Sequence, residues 1–93
     1  MIVSGGENVF PGPVESLLLA HPAVVDAAVV GVPDDEFGQR LKAVVVLDGV
    51  LTADAVQARV AAELGRHFVP RDVEFVAALP RNATGKLLRH ALV

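Results

Sequence analysis

Two valine-rich runs constrain this chain more than anything else in it. Val24 to Val32 is dense in valine, with Asp26 its sole charge, and Arg40 to Leu47 starts by alternating and ends as Val44-Val45-Val46. Branching at Cβ suits a pleated strand, where the side chain packs on its neighbours instead of crowding a helical turn. The unbroken valines of the second run mark a strand covered on both faces for part of its length. Between the runs, Pro33-Asp34-Asp35-Glu36-Phe37-Gly38 is a polar loop, and Asp48-Gly49 closes the second strand.

The remaining chain supplies the cover. Pro13 suits the first residue of a helix, and Val14, Leu17 and Leu18 share one apolar face until His21-Pro22 stops it. Thr52 is an N-cap with Asp54 in the first turn, and Ala53, Val56, Val60 and Leu64 mark one face of a second helix ending near Gly65. Pro70 precedes a third strand, Val73 to Ala78, and Lys86 to Leu92 reads as a closing helix capped by Thr84. At the start, Ile2-Val3-Ser4 runs into Gly5-Gly6-Glu7-Asn8, a bent or bulged strand or a loop approached closely by something else. The order strand, helix, strand, strand, helix, strand, helix predicts an α+β domain spanning residues 1–93. It is a small sheet of three or more strands with helices packed on it. Strand pairing is open at this level.

Composition narrows what such a domain does. Eighteen valines and 14 alanines, with four phenylalanines and no Trp, Tyr or Cys, give a core of small side chains and no disulfide or thiol chemistry. A net charge of −3 with eight scattered basic residues lacks the clustered footprint of nucleic-acid binding. The apolar runs fall far short of the ~20 residues of a membrane helix, and Met1-Ile2-Val3 lacks the charged start of a signal peptide. The expectation is therefore a cytoplasmic protein. An apolar content of 53% against 20% charged residues fits either an alanine- and valine-rich core or a face that packs on a partner.

One segment carries chemistry. Pro80-Arg81-Asn82-Ala83-Thr84-Gly85-Lys86-Leu87-Leu88-Arg89 contains the chain's single Gly-Lys pair, and the other lysine, Lys42, lies in the second valine strand. A cation at a helix mouth suits an anionic target, because the helix N-terminus adds partial positive charge and free N–H groups. Lys86 is the catalytic candidate, Gly85 lets the backbone turn before it, and Arg89, three residues on, would share its helix face. His21, His67 and His90 have no metal-binding spacing, and Asp34-Asp35-Glu36 reads as a solvated loop able at most to attract a cation weakly.

Taken together, Met1 to Pro11 and Pro80 to Arg89 resemble two motifs of the adenylate-forming (AMP-binding) enzymes. These motifs are the loop following the hinge and the catalytic-lysine motif. Val14-Glu15, His21-Pro22-Ala23-Val24, Ala27-Ala28-Val29-Val30-Gly31-Val32-Pro33-Asp34 and Val69-Pro70 match in order and spacing, so the resemblance covers essentially the whole chain. Gly-Gly-Glu-Asn resembles the acyl-CoA synthetase (fatty-acid–CoA ligase) branch. The resemblance implies a C-terminal lid domain that rotates over a larger N-terminal adenylation domain. It implies ATP, Mg²⁺ and coenzyme A as cofactors of the full-length enzyme and a carboxylic or fatty acid as substrate. Lys86 would serve adenylation, with Thr84, Gly85 and Arg89 in support; Gly5, Gly6, Glu7 and Asn8 would line the pantetheine channel of coenzyme A. A lysine acetyltransferase acting on Lys86 is a further implied partner. The phosphate loop and hinge acid are not in this sequence, so the chain alone is expected to be inactive and to be a fragment or split polypeptide. Arg66-His67-Phe68 stands where many relatives carry a lysine before Val-Pro, which leaves that lysine's contact without a counterpart. Other implied readings are an acyl-AMP ligase, a carrier-protein-directed adenylation domain, and a non-catalytic interaction module.

Overall fold

The two valine-rich runs pair with each other as one long antiparallel ribbon. In the computed structural model, which describes residues 2–93, these strands are β3 (Val24–Asp34) and β4 (Gly38–Leu47). They follow β1 (Ile2–Ser4), β2 (Glu7–Val9) and α1 (Pro11–Leu19), and precede α2 (Ala53–Leu64) and β5 (Asp72–Val76). The ribbon register runs from Val24 opposite Leu47 to Asp34 opposite Gly38, with a bulge at Val25. After α2 the chain returns as β5, parallel to β4, so the sheet order is β3-β4-β5. A parallel neighbour requires a crossover, and α2 is that crossover.

Alternation along the strands assigns each valine a side. Ala27 and Val29 of β3 with Leu41, Ala43 and Val45 of β4 face Val14 and Leu18 of α1 and Val56 and Val60 of α2, all buried together. The intervening residues Ala28, Val30, Val32 and Val44 form a second cluster with Leu79 and Leu92. The sheet is thus covered on one face by helices and on the other by the C-terminal segment. Val44 and Val45, buried on opposite faces, sit where both covers overlap, and Val46 is partly buried beside Val44.

Several sequence expectations change in detail. Ile2 to Val9 is neither a single bent strand nor a loop: β1 and β2 form an antiparallel hairpin with Ile2 opposite Val9. Gly5 and Gly6 turn it with φ of 57° and 82°, values that a two-residue hairpin of this hand demands and side chains resist. The hairpin lies on the helical face, where Gly31 leaves it room. A Cβ at Gly31 would stand 3.0 Å from Ile2 Cγ2 and 2.9 Å from the Gln39 amide nitrogen. Helix α1 starts at Pro11, two residues before the expected Pro13, because proline at the first helical position forfeits no hydrogen bond. Strand β5 stops at Val76, short of Ala78.

The larger correction is at the C-terminus. Lys86 to Leu92 is not a helix; only Arg89–Ala91 makes a single 3₁₀ turn. Gly85 adopts a φ of 84°, which a helix cannot continue through. Leu88 N–H donates to Pro80 C=O at 2.9 Å, and Arg81 pairs with Leu87 as an isolated antiparallel bridge. These bonds close residues 80–88 into a loop, which lets Leu87 pack on the second sheet face.

Candidate functional site

Lys86 stands on that loop, exposed, and among the described residues no ion pair or hydrogen bond engages its ammonium. Its backbone is held firmly. The Asn82 side-chain oxygen accepts from Lys86 N–H and Thr84 N–H, both at 3.0 Å, and from the Thr84 hydroxyl at 2.7 Å. Asn82 N–H donates to Lys86 C=O at 3.0 Å, and Gly85 N–H donates to Asn82 C=O at 2.9 Å. Arg81 Nη1 donates to Gly85 C=O at 3.0 Å while its Nη2 reaches Asp26 of β3 at 2.6 Å. Asn82 therefore does the capping expected of Thr84, and the helix-terminus field expected around Lys86 does not exist. Charge at this site comes from the ammonium itself. Sequence reasoning missed Asn82 and Arg81, although Asn's habit of bonding backbone two to four residues ahead was a usable signal.

At the other end of the ribbon lies the glycine turn. Gly5 N–H donates to Phe37 C=O at 3.0 Å, and a Cβ on Gly5 would meet the Phe37 ring at 3.2 Å. Val3 N–H donates to the Gln39 side chain at 3.0 Å, which ties β1 to the start of β4. Beside the turn opens a cleft of about 780 Å³ lined by Gly5, Glu7, Phe37, Leu41, Arg66 and Arg71. Arg71 lies over the Phe37 ring, 5.5 Å from its centre, close enough for a cation–π contact. His67 also lines the cleft. Asn8 pairs with Val3 across the hairpin.

Of the three loop acids, Asp35 and Glu36 are exposed as expected of a solvated loop, whereas Asp34 is engaged. Asp34 Oδ1 accepts from Phe37 N–H and Glu36 N–H, both at 2.9 Å, and Oδ2 lies 3.1 Å from Arg71 and 3.8 Å from Arg40. The Phe37 hydrogen bond foremost, then the Glu36 bond and the two arginines, hold its carboxyl below the usual range against the opposing effect of burial. Asp34 closes the ribbon's turn and so places Phe37 under Gly5.

Arg89 has a structural partner instead of a shared face with Lys86. Its two terminal nitrogens grip Glu15 of α1 at 2.8 and 3.0 Å, and Nη1 also donates to Val29 C=O at 2.9 Å. Glu15 in turn accepts from Val29 N–H at 2.7 Å. Strand β3 is a sheet edge, and this ion pair occupies the backbone groups that a further strand would take. The contact with Glu15 raises the Arg89 pKa, against the opposing effect of burial. His21 accepts from Ala23 N–H at 3.0 Å and finishes α1. No group of three metal-ligating side chains is gathered among the described residues, and none of their helices is long and apolar enough to cross a membrane.

The two turns are far apart. Arg81 anchors at Asp26 and Gly5 at Phe37, the opposite end of β3, so eight strand residues, about 25 Å, separate the anchors. They also sit over opposite faces of the sheet, the hairpin with the helices and the lysine loop with the second cluster.

This arrangement has close counterparts. Residues 13–86 match the family described as AMP-binding enzyme C-terminal domain, a match that ends on Lys86 itself. The chain belongs to that family. Over 92 residues it is 46% identical to a 2-succinylbenzoate–CoA ligase of Bacillus cereus (strain ATCC 10987 / NRS 248), covering 99% of this chain and 19% of that protein. Among solved structures, a Mycobacterium tuberculosis fatty acyl CoA synthetase superposes with a TM-score of 0.94 at 40% identity, over 99% of this chain and 18% of the other. The o-succinylbenzoate CoA synthetase of Bacillus subtilis, in complex with its acyl-adenylate intermediate, gives 0.92 at 41% identity, over 98% of this chain and 19% of the other. The glycine hairpin precedes the family match, but the near-complete structural overlaps extend to it. AMP-binding C-terminal domains from ligases named for different acids thus share this one architecture. The chain spans about a fifth of the length of these relatives.

Proposed function

We propose that this domain is the C-terminal lid of an ATP-dependent acid–CoA ligase and serves both half-reactions with opposite ends. In the first, a carboxylate attacks the α-phosphate of ATP, giving an acyl-adenylate and releasing pyrophosphate. In the second, the thiol of coenzyme A attacks the acyl carbon, forming the thioester and releasing AMP. The observation that carries the reading is Lys86: a cation exposed and unpaired among the described residues, on a loop whose backbone is tied at Asn82, Thr84, Gly85 and Lys86. A positioned ammonium orients the carboxylate against the phosphate and stabilises the charge that gathers between them.

The glycine end suits the second step. Gly5 and Gly6 present bare backbone to a narrow, extended ligand such as pantetheine, with Glu7 and Asn8 flanking it. Arg66 and Arg71 line the adjoining cleft and would meet phosphates, with Arg71 already seated over Phe37 and paired with Asp34. That cationic lining favours free coenzyme A as acceptor over a carrier-bound pantetheine, whose nucleotide end is absent. ATP and its Mg²⁺ would be held by the N-terminal domain of the full-length ligase. A fatty acid is one substrate class consistent with the relatives, and 2-succinylbenzoate is another; the lid does not choose between them. The exposed Lys86 ammonium is also open to acetylation, which would remove its charge. Cysteine-free and without a membrane-spanning helix among the described residues, the domain fits a cytoplasmic enzyme.

The test is Lys86→Ala in the full-length enzyme. Pyrophosphate exchange falls about 10²- to 10³-fold, while thioester formation from preformed acyl-adenylate continues. Equal loss of both steps, or loss of neither, overturns the reading.

A further inference from the structure

We infer that Arg81 and Asn82 are positioning residues for Lys86, acting as a two-point clamp on the peptide unit that precedes it. The inference rests on the adenylation role proposed for Lys86 and concerns how that role is prepared. The peptide joining Gly85 to Lys86 is bonded at both ends by adjacent side chains. Its C=O accepts from Arg81 and its N–H donates to Asn82. The following peptide is bonded too, since Lys86 C=O accepts from Asn82 N–H. Both planes flanking the Lys86 Cα are therefore set, and the Cα–Cβ direction follows from them. What remains free is the side chain beyond Cβ.

The clamp is grounded in the sheet. The second arm of Arg81 reaches Asp26, whose other oxygen accepts from Ala27 N–H, so the loop is referenced to the bulged start of β3. Arg81 is suited to this work because its planar fork donates in two directions at once, which lysine cannot reproduce. Asn82 is suited because one carbonyl oxygen accepts three bonds while its own backbone closes the loop. The lysine loop lacks a helix to stiffen it, and this network supplies the stiffness. Reacting groups placed about 1 Å wrong lose on the order of 100-fold in rate, so fixing the lysine's origin before the lid closes is worth a measurable part of the adenylation rate.

The experiment is a double-mutant cycle in the full-length enzyme, reading each half-reaction separately. Asn82→Ala is expected to lower kcat for pyrophosphate exchange about 10- to 100-fold, with KM for ATP little changed and thioester formation from preformed adenylate intact. Asn82→Asp, which keeps the accepting oxygens, restores most of that rate. Arg81→Met lowers exchange and Arg81→Lys fails to restore it. Combined with Lys86→Ala, neither Asn82→Ala nor Arg81→Met lowers exchange further, because a residue that acts through Lys86 has nothing left to act through. A full penalty in the Lys86→Ala background, or equal loss of both half-reactions, refutes the inference and marks the two as residues of folding alone. If Lys86→Ala abolishes exchange while Asn82→Ala and Arg81→Met leave it intact, the clamp falls and the role of Lys86 stands. If Lys86→Ala leaves exchange intact, both fall.

Discussion

At Gly5-Gly6 the turn is shaped by main chain, whereas at Asn82 to Lys86 the same tightness is achieved with side chains. The first needs two residues without Cβ, one hydrogen bond to Phe37 C=O and a ring pressed beneath it. The second needs one positive-φ glycine and a network centred on Asn82 and Arg81. The difference follows from what each end presents. A bare backbone surface tolerates no side chains, so its shape comes from φ and ψ; a long cation needs only a fixed origin, and polar neighbours can provide that.

The comparison breaks most sharply at Gly5. Gly5→Val forces a branched side chain into a left-handed conformation and against Phe37. Thioester formation from preformed adenylate is expected to fall about 100-fold, the scale of a 1 Å displacement, while pyrophosphate exchange stays near wild type. A parallel loss of exchange would show that the two ends are not independent.

Glu15→Ala probes the lysine end. It leaves Arg89 and the edge amide of Val29 without their carboxylate, at about 1–3 kcal/mol for an unsatisfied buried group. The C-terminal segment is expected to lose hydrogen-exchange protection at Leu88 to Leu92 while the β1–β2 hairpin retains it. Uniform loss across both would mean that the segment is not a separable cover.

The smallest effect concerns acid. Asp34 is held below the ordinary carboxylate pKa of about 3.9, chiefly by the Phe37 N–H. A lowered folded pKa stabilises the native state above the unfolded value, and that contribution is lost as pH falls through the lower folded one. Below about pH 4 the ribbon turn, and with it the seat of Gly5, is expected to weaken. Asp34→Asn should flatten the dependence of Tm on pH in that window. An unchanged slope would show that other carboxylates carry it.

What the sequence made legible, and what it hid, divides along similar lines. Burial leaves a periodic imprint, so the valine strands, α2 with its Thr52 cap accepting from Ala55 N–H, and both apolar faces could be read. The pairing of β5 could not, since nothing in Val73 to Val76 distinguishes a parallel from an antiparallel neighbour. Lys86 was legible by motif, but its helix was not real. Leu87 and Leu92 reach the same sheet face from a closed loop and a 3₁₀ turn instead. Arg89 looked like a companion to Lys86, and its partner Glu15 lies 74 positions away, beyond the reach of local spacing. Asn82 was missed, because hydrogen bonds from several groups to one side-chain oxygen imprint no periodicity.

The second face of the sheet has a consequence for the fate of damaged molecules. Ala28, Val30, Val32 and Val44 are shielded there by Leu79 and Leu92, which stand on either side of the lysine loop. A protease that nicks the loop at Arg81 or Lys86 therefore loosens the seal over that apolar surface as it severs the cation's support. Such a clipped polypeptide would bare Ala28, Val30, Val32 and Val44 and so present a sticky surface.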